Sequence, residues 1–308
     1  MRDADIDVNC GLVRRDLLAL AGMAGLAGLA GCSAVAGPPA APAAASRAAM
    51  LTTPSHAVEL FARLVGDLSG KVSLSYAAGT VWGFRPQADD LALADFARRI
   101  YGYKSLIARR VRRLPNGDLA IKQQGWTFYT NPLSDAITDT LRNPYTGADV
   151  KPYSPPSAAL ELAYRADGSL YLPGKEDANP LGKGQSTAFD IPFDMRVRTL
   201  GANSFVNTAQ FIRFQPANID WWKLEATLIS YVCRTADLHN RALSHIPSTW
   251  TMNLVAEWQT WMNMHGSPGH ILFKGEGSDV GAVADLPADV AAALASKFPG
   301  QLDKALAW

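Results

Sequence analysis

The sequence predicts a mainly β domain with flanking helices, of the β or α+β class. Three observations lead there. Strand-like runs are separated by tight-turn residues through the middle of the chain. Residues 249–258 alternate apolar and polar side chains, and helical spacing is confined largely to the two ends.

At the first end, Val58, Phe61, Leu64 and Val65 recur at helical spacing over residues 54–65, with Thr53 available as a cap. Leu93, Phe96, Ala97 and Ile100 predict a second helix over residues 90–101. Between them, residues 71–84 are rich in β-formers and contain Gly79 and Gly83, which predicts strands or a bulge. Residues 105–114 and 118–130 flank Pro115-Asn116-Gly117, a hairpin turn whose Asn-Gly can take positive φ. Asp167-Gly168 repeats the device within residues 164–172, and Gly201-Ala202-Asn203 joins residues 195–200 to 206–214. Trp222, Leu224, Ala226, Leu228 and Val232 predict a further strand. Trp250, Met252, Leu254, Ala256 and Trp258 share one face, opposite Thr249, Thr251, Asn253 and Glu257, although the positions of Leu254, Trp258, Trp261 and Met262 would also suit a helix. A strand over residues 270–274 and a closing helix over residues 287–298 complete the pattern, the latter with Asp285 as a cap and Pro287 in its first turn.

A sheet of this size must cover its faces and protect its edges, and closure does both. The expected architecture is an antiparallel barrel or strongly curved sheet, lipocalin-like in general shape, with a sandwich as the alternative. It occupies residues 53–308 as a single β-rich domain.

The first 52 residues read differently. Arg14-Arg15 leads through Asp16 into an uncharged run of Leu, Ala, Gly and Met over residues 17–29. That run is too short and too Gly-rich for a stable spanning helix, and it has no polar face. A basic pair, a short apolar core and small residues after it make a secretory signal, and paired arginines specify the twin-arginine route. Residues 1–31 are therefore expected to be a signal peptide, although Asp3, Asp5 and Asp7 precede the arginines. Leu29-Ala30-Gly31-Cys32 resembles a bacterial lipobox, which would leave a lipidated Cys32 as a membrane anchor; Ala34-Val35-Ala36 offers a competing cut. Residues 32–52, rich in Ala and Pro, read as a tether. The expected location is the periplasm or envelope.

With 29 basic and 28 acidic residues the chain is close to neutral, and it stays so without its signal. That balance is not the footprint of a nucleic-acid binder. Cys10 would leave with the signal and Cys32 would be modified, so Cys233 stands alone and the core must hold the fold without a disulfide.

Tyr129-Thr130-Asn131-Pro132, followed by Leu141-Arg142-Asn143-Pro144-Tyr145-Thr146-Gly147, carries a family resemblance. The chain resembles domain-of-unknown-function family 1838, whose members often carry twin-arginine signals, from about Val58 to the last helix. The resemblance implies one domain and implies no activity, cofactor or catalytic residue. In physical terms Asn143 caps a turn, Pro144 fixes φ and Gly147 takes the left-handed conformation. A ligand-contacting role would fall on Arg142 and Asn143.

His239, His245, His265 and His270 are spaced by six, twenty and five residues, which matches no common zinc pattern. No metal and no cofactor is expected. Gly266-Ser267-Pro268-Gly269 has the wrong spacing for a nucleophile elbow, and no βαβ unit surrounds Gly182 and Gly184. Cys233 is expected to be buried and inert. Arg109, Arg110, Arg112 and Arg113 share one predicted strand, where alternation splits them between two faces; a solvated edge is the expectation, with one inward arginine able to meet an anion.

Aromatics point furthest. Trp221, Trp222, Trp250, Trp258 and Trp261 are interleaved with Met252, Met262 and Met264, and an interior lined this way would hold an apolar guest. The first reading is therefore a binding protein for an apolar or amphipathic small molecule, using Trp222, Trp250, Met252, Trp258 and Trp261. The second is a cofactor-independent isomerase, cyclase or hydrolase, in which His245, His265 or His270 works with Glu257, Asp190 or Asp194.

Overall fold

The computed structural model describes residues 54–86, 97–153, 159–171, 173, 186–188, 195–214 and 223–308, all within the compact unit Ser46–Trp308. The expected signal, the tether, Cys32, Asp190, Asp194, Trp221 and Trp222 lie outside the described residues. Eleven strands form one sheet among those described: β1 (Val72–Phe84), β2 (Ala97–Arg113), β3 (Leu119–Thr130), β6 (Leu160–Tyr164), β7 (Leu170–Tyr171), β8 (Ser186–Ala188), β9 (Met195–Leu200), β10 (Asn203–Phe214), β11 (Lys223–Arg234), β12 (Thr249–Ala256) and β13 (His270–Val280). β4 (Leu141–Arg142) and β5 (Asp149–Val150) make a small separate hairpin. The helices are α1 (Pro54–Val65), α2 (Thr235–His239), α3 (Ala288–Lys297) and α4 (Gln301–Leu306).

The sheet order is β7-β6-β3-β2-β1-β13-β12-β11-β10-β8, with β9 also on β10, and every pair is antiparallel. Among the described residues the strands form one continuous sheet that does not close into a barrel. The terminal strands β7 and β8 hold two and three residues, too few for a sustained ladder between them. Yet one apolar cluster joins Leu119, Ile121 and Tyr164 from one half of the sheet to Val197, Val206 and Tyr231 from the other. Four strands, β2, β1, β13 and β12, separate these halves, and at ~4.8 Å per strand a flat sheet could not bring them into contact. The sheet wraps around a shared interior without sealing.

The turn chemistry falls where the sequence puts it. Gly117, Gly168 and Gly201 take φ of 91°, 87° and 59° at three hairpin turns. Along β12, Trp250 and Ala256 are buried while Thr249, Thr251, Asn253 and Val255 are exposed, so the period-two reading holds over the helical one.

The predicted helix over residues 90–101 is overturned in its described part. Residues 97–101 open β2, paired with β1 across a register shift between Val81 and Trp82. Four apolar residues at helical spacing are a local signal, and a ladder along nearly the whole of β1 outweighs it.

On the outer face, α3, α4 and the link between them lay Val290, Leu294, Phe298 and Leu302 over Leu74, Leu106, Trp126 and Phe128. Burying each such side chain contributes about 1.5–3 kcal/mol. Lys104 secures this layer by bonding Asp289 in the first turn of α3 at 2.8 Å and pairing with Asp135 at 2.9 Å.

On the inner side, α1 seats Ala57, Val58, Leu60, Ala62, Leu64 and Val65 in the core. Arg63 is buried beside them because its guanidinium donates to two carbonyls, Leu243 O at 2.9 Å and Asn240 O. Ile246 N returns a bond to Arg63 O, and Leu68 N bonds Ser244 O, so α1 is clasped by the segment that follows α2.

Candidate functional site

Strand alternation decides which side chains meet inside the wrapped sheet. Arg109 on β2 points inward and Arg110 and Arg112 point outward, as the period of two requires. Arg112 bonds Glu161 at 2.6 Å, and Arg110 donates to Gly70 O. The expectation of a solvated edge does not hold, because β2 lies between β1 and β3. Opposite Arg109 in the β2–β3 ladder stands Gln123, and across the interior Thr208 pairs with Ile229 and Gln210 with Thr227.

These residues line a cavity of about 220 Å³, together with Phe61, Val65, Ile121, Leu162, Ala209, Tyr164 and Tyr231. One wall is apolar, built from α1, β3 and β6. The other carries hydroxyls and amides from β10 and β11, with Arg109 and Gln123 set beside them.

Arg109 is the only charged side chain among the described lining residues. Its Nη1 donates to Ser75 Oγ at 2.8 Å, and its Nε reaches Gln123 Oε1 at 3.5 Å, the outer limit of a hydrogen bond. Among the described residues no carboxylate forms an ion pair with it. Burial pushes its pKa below the ordinary value, partly opposed by Tyr231, Tyr164 and Asp279. A guanidinium nonetheless stays charged at any physiological pH. Burial also pushes the Tyr231 hydroxyl up to about 12 and raises that of Tyr164, so both are protonated.

Asp279 is the acid that acts on Arg109 electrostatically, but its carboxylate is engaged elsewhere. It accepts from His245 Nε2 at 3.0 Å and from Ser248 N at 3.2 Å. His245 Nδ1 faces Gly66 O at 2.8 Å. With an acceptor at each ring nitrogen, imidazolium is the favoured form, and the His245 pKa is raised, chiefly by the Asp279 bond. His245 thus ties the end of α1 to β13 and the loop before β12. It stands outside the cavity lining.

Two Asn-Pro turns with one hydrogen-bond pattern sit at the far end of the sheet. Asn131 Oδ1 accepts from Leu133 N and Ser134 N, and Asn143 Oδ1 from Tyr145 N and Thr146 N. Each turn is closed by the fifth residue donating to the Asn carbonyl, from Asp135 in one and Gly147 in the other, with φ of 57° and 71°. Asn143 is buried and adds a bond from Nδ2 to Met262 O at 3.0 Å, stapling its turn to the segment after β12.

Residues 76–304, spanning both Asn-Pro turns and nearly all of the cavity wall, match the family described as "Protein of unknown function (DUF1838)". The chain belongs to that family. Neither a curated protein nor a solved structure matches it significantly. The DUF1838 match begins after α1, so Phe61, Val65 and Ser75 lie outside it and the rest of the Arg109 site lies within.

The residues singled out from sequence are scattered over the DUF1838 fold. His265 and His270 are exposed, His270 stacking on Phe84 with centroids 5.2 Å apart, and Glu257 is half-buried. Trp250 is packed in the interior core. Trp258 and Trp261 belong to a second cluster with Tyr101, Tyr103, Tyr129 and Phe273, to which Met252 also packs. None of these lines the Arg109 cavity. Arg142 forms an exposed pair with Asp149 at 3.2 Å, and Asn143 serves its turn. Cys233 is buried, and burial pushes its thiol up to about 11, which leaves it protonated. Among the described residues, no three His, Cys, Asp or Glu side chains converge as metal ligands.

Gln123, Tyr164, Thr208, Gln210, Thr227 and Tyr231 escaped the sequence reading. Each is the inward member of an alternating strand, a signal present in the sequence but shared with every core position.

Proposed function

We propose that this protein binds a small amphipathic molecule inside its wrapped sheet. The observation that carries the reading is the cavity itself, with one apolar wall and one polar wall around a single half-buried guanidinium. Such a division of surfaces suits a guest with an apolar body and a polar end. At about 220 Å³ the space lies below the ~300–1,000 Å³ of pockets for drug-sized ligands, so the guest is small.

The second reading, a cofactor-independent enzyme, requires a His–carboxylate pair at the guest. His245–Asp279 is the pair that forms among the described residues, and it is committed to α1 and the loop before β12. Binding is therefore the better supported of the two.

The protein is further proposed to work outside the cytoplasm, as an envelope protein exported through Arg14-Arg15 and anchored by a lipid on Cys32. Cell fractionation of wild type and Cys32→Ala tests this part. Release of the variant from the membrane fraction is expected, and an unchanged cytoplasmic location for both would refute it.

Native mass spectrometry of the purified protein, followed by organic extraction, tests the binding reading. A co-purifying molecule lost on Thr227→Trp, which fills the cavity from β11, is the expected result. Retention of the molecule by a folded Thr227→Trp variant would place the guest elsewhere.

A further inference from the structure

A wrapped sheet can be lined with apolar and neutral polar side chains alone, and the inward position at residue 109 carries a guanidinium instead. Arg109 is half-buried, and taking an unpaired charge even partly out of water has a desolvation cost unless something compensates it. The described residues supply acceptors for two of its five N–H donors, and both acceptors are neutral. The carboxylate that acts on it from β13 is held by His245 and Ser248. What remains is part of a planar fork of donors on a full positive charge, inside a cavity with no acid in its described lining.

Resting on the binding reading above, we infer that the polar end of the guest is a carboxylate seated on Arg109. A guanidinium and a carboxylate match in plane, in bidentate spacing and in charge. Two features favour a carboxylate over a phosphate monoester. The described lining carries one cation, which neutralises a single charge and leaves about half the charge of a phosphate dianion uncompensated. It also lacks a helix N-terminus of the kind that cradles phosphate, since the lining is contributed by strands and by the interior and last turn of α1. Tyr164, Tyr231, Thr208, Thr227, Gln123 and Gln210 provide neutral donors around the same point. The apolar body would then lie toward Phe61, Val65, Ile121 and Leu162.

Isothermal titration of the purified, delipidated protein with sodium octanoate, 1-octanol and octyl phosphate tests this. Octanoate is expected to bind at least tenfold tighter than the alcohol of equal chain length, and tighter than the phosphate. Arg109→Met is expected to remove that preference, with circular dichroism confirming the fold. The comparison on the wild-type protein decides even if the variant does not fold. Equal binding of octanoate and octanol would overturn the inference and leave the cavity reading standing, as would a preference for octyl phosphate. Failure of all three probes to bind, with extraction also yielding no guest, would remove the cavity reading itself.

Discussion

Arg109 Nη1 lies 2.8 Å from the hydroxyl of Ser75 on the adjacent strand, and this neutral contact is the best the described fold gives to a half-buried guanidinium. A charge held so incompletely contributes little to stability and limits what the interior can hold. Arg109→Met keeps the length of the side chain and removes the desolvation cost. The ligand-free variant is expected to be as stable as wild type or more so, by about 0–2 kcal/mol. Urea unfolding of delipidated protein measures this, and a loss above that range would mean that Arg109 is a structural anchor.

His245 makes a prediction about pH. Its pKa in the fold is raised above the ordinary 6.5, first by the bond to Asp279 and then by Gly66 O, against the opposing effect of burial. A group with a raised folded pKa contributes stability that is fully present below the unfolded value and is lost as pH rises through the folded one. Melting temperature is therefore expected to fall as pH rises from the ordinary value of 6.5 through the higher folded one. His245→Gln should lower stability at pH 6 and flatten that slope. An identical slope in the variant would assign the pH dependence to another group.

Asn143 is the residue of the Asn-Pro-Tyr-Thr-Gly element that the fold most depends on. Its amide donates to Met262 O and its oxygen accepts from Tyr145 N and Thr146 N, all with the side chain buried. Asn143→Ala leaves these groups unpaired and is expected to cost about 2–3 kcal/mol. Asn143→Asp should also destabilise, because it keeps the acceptor and loses the donor to Met262 O. Chemical denaturation of the two variants checks the pair, and a neutral alanine variant would return the element to a role in binding.

Tyr103 and Gly275 form a fitted pair. A Cβ on Gly275 would lie 2.1 Å from the Tyr103 hydroxyl and 2.8 Å from Ala78 O, so Gly275→Ala is expected to destabilise by about 1–3 kcal/mol. The Tyr103 hydroxyl is buried without a hydrogen-bond partner among the described residues. Tyr103→Phe is consequently expected to be neutral or stabilising, and to recover part of the loss in the double variant. A double-mutant cycle showing simple additivity would contradict this coupling.

Much of the fold was legible from local signals. Helix α1 has the bounds its apolar spacing predicts, and the glycines at 117, 168 and 201 mark hairpins because positive φ costs them little. The alternation along β12 and the capped turn at Asn143 follow from the same short-range physics. Residues 90–101 misled because four apolar side chains fit a helix over twelve residues, whereas β1 supplies a partner along the described end of that stretch. The tryptophans were legible as buried aromatics; that Trp250 packs in the interior core and Trp258 and Trp261 in a separate cluster was not.

The site divides along the same line. By itself the amino-acid sequence determined that Arg109 and Arg113 share one face of their strand and Arg110 and Arg112 the other, since the side-chain period of a strand is two. It left open which arginine meets the interior. Tertiary structure decided that this was Arg109, that β2 was a central strand, and that Gln123, Thr208, Thr227 and Tyr231 would surround it. The physical reason is the range of the interactions. Alternation needs only neighbouring residues, but the cavity needs β2 and β3 to face β10 and β11 from about a hundred positions away. That meeting is set by β1 pairing with β13 and by the curvature of the whole sheet.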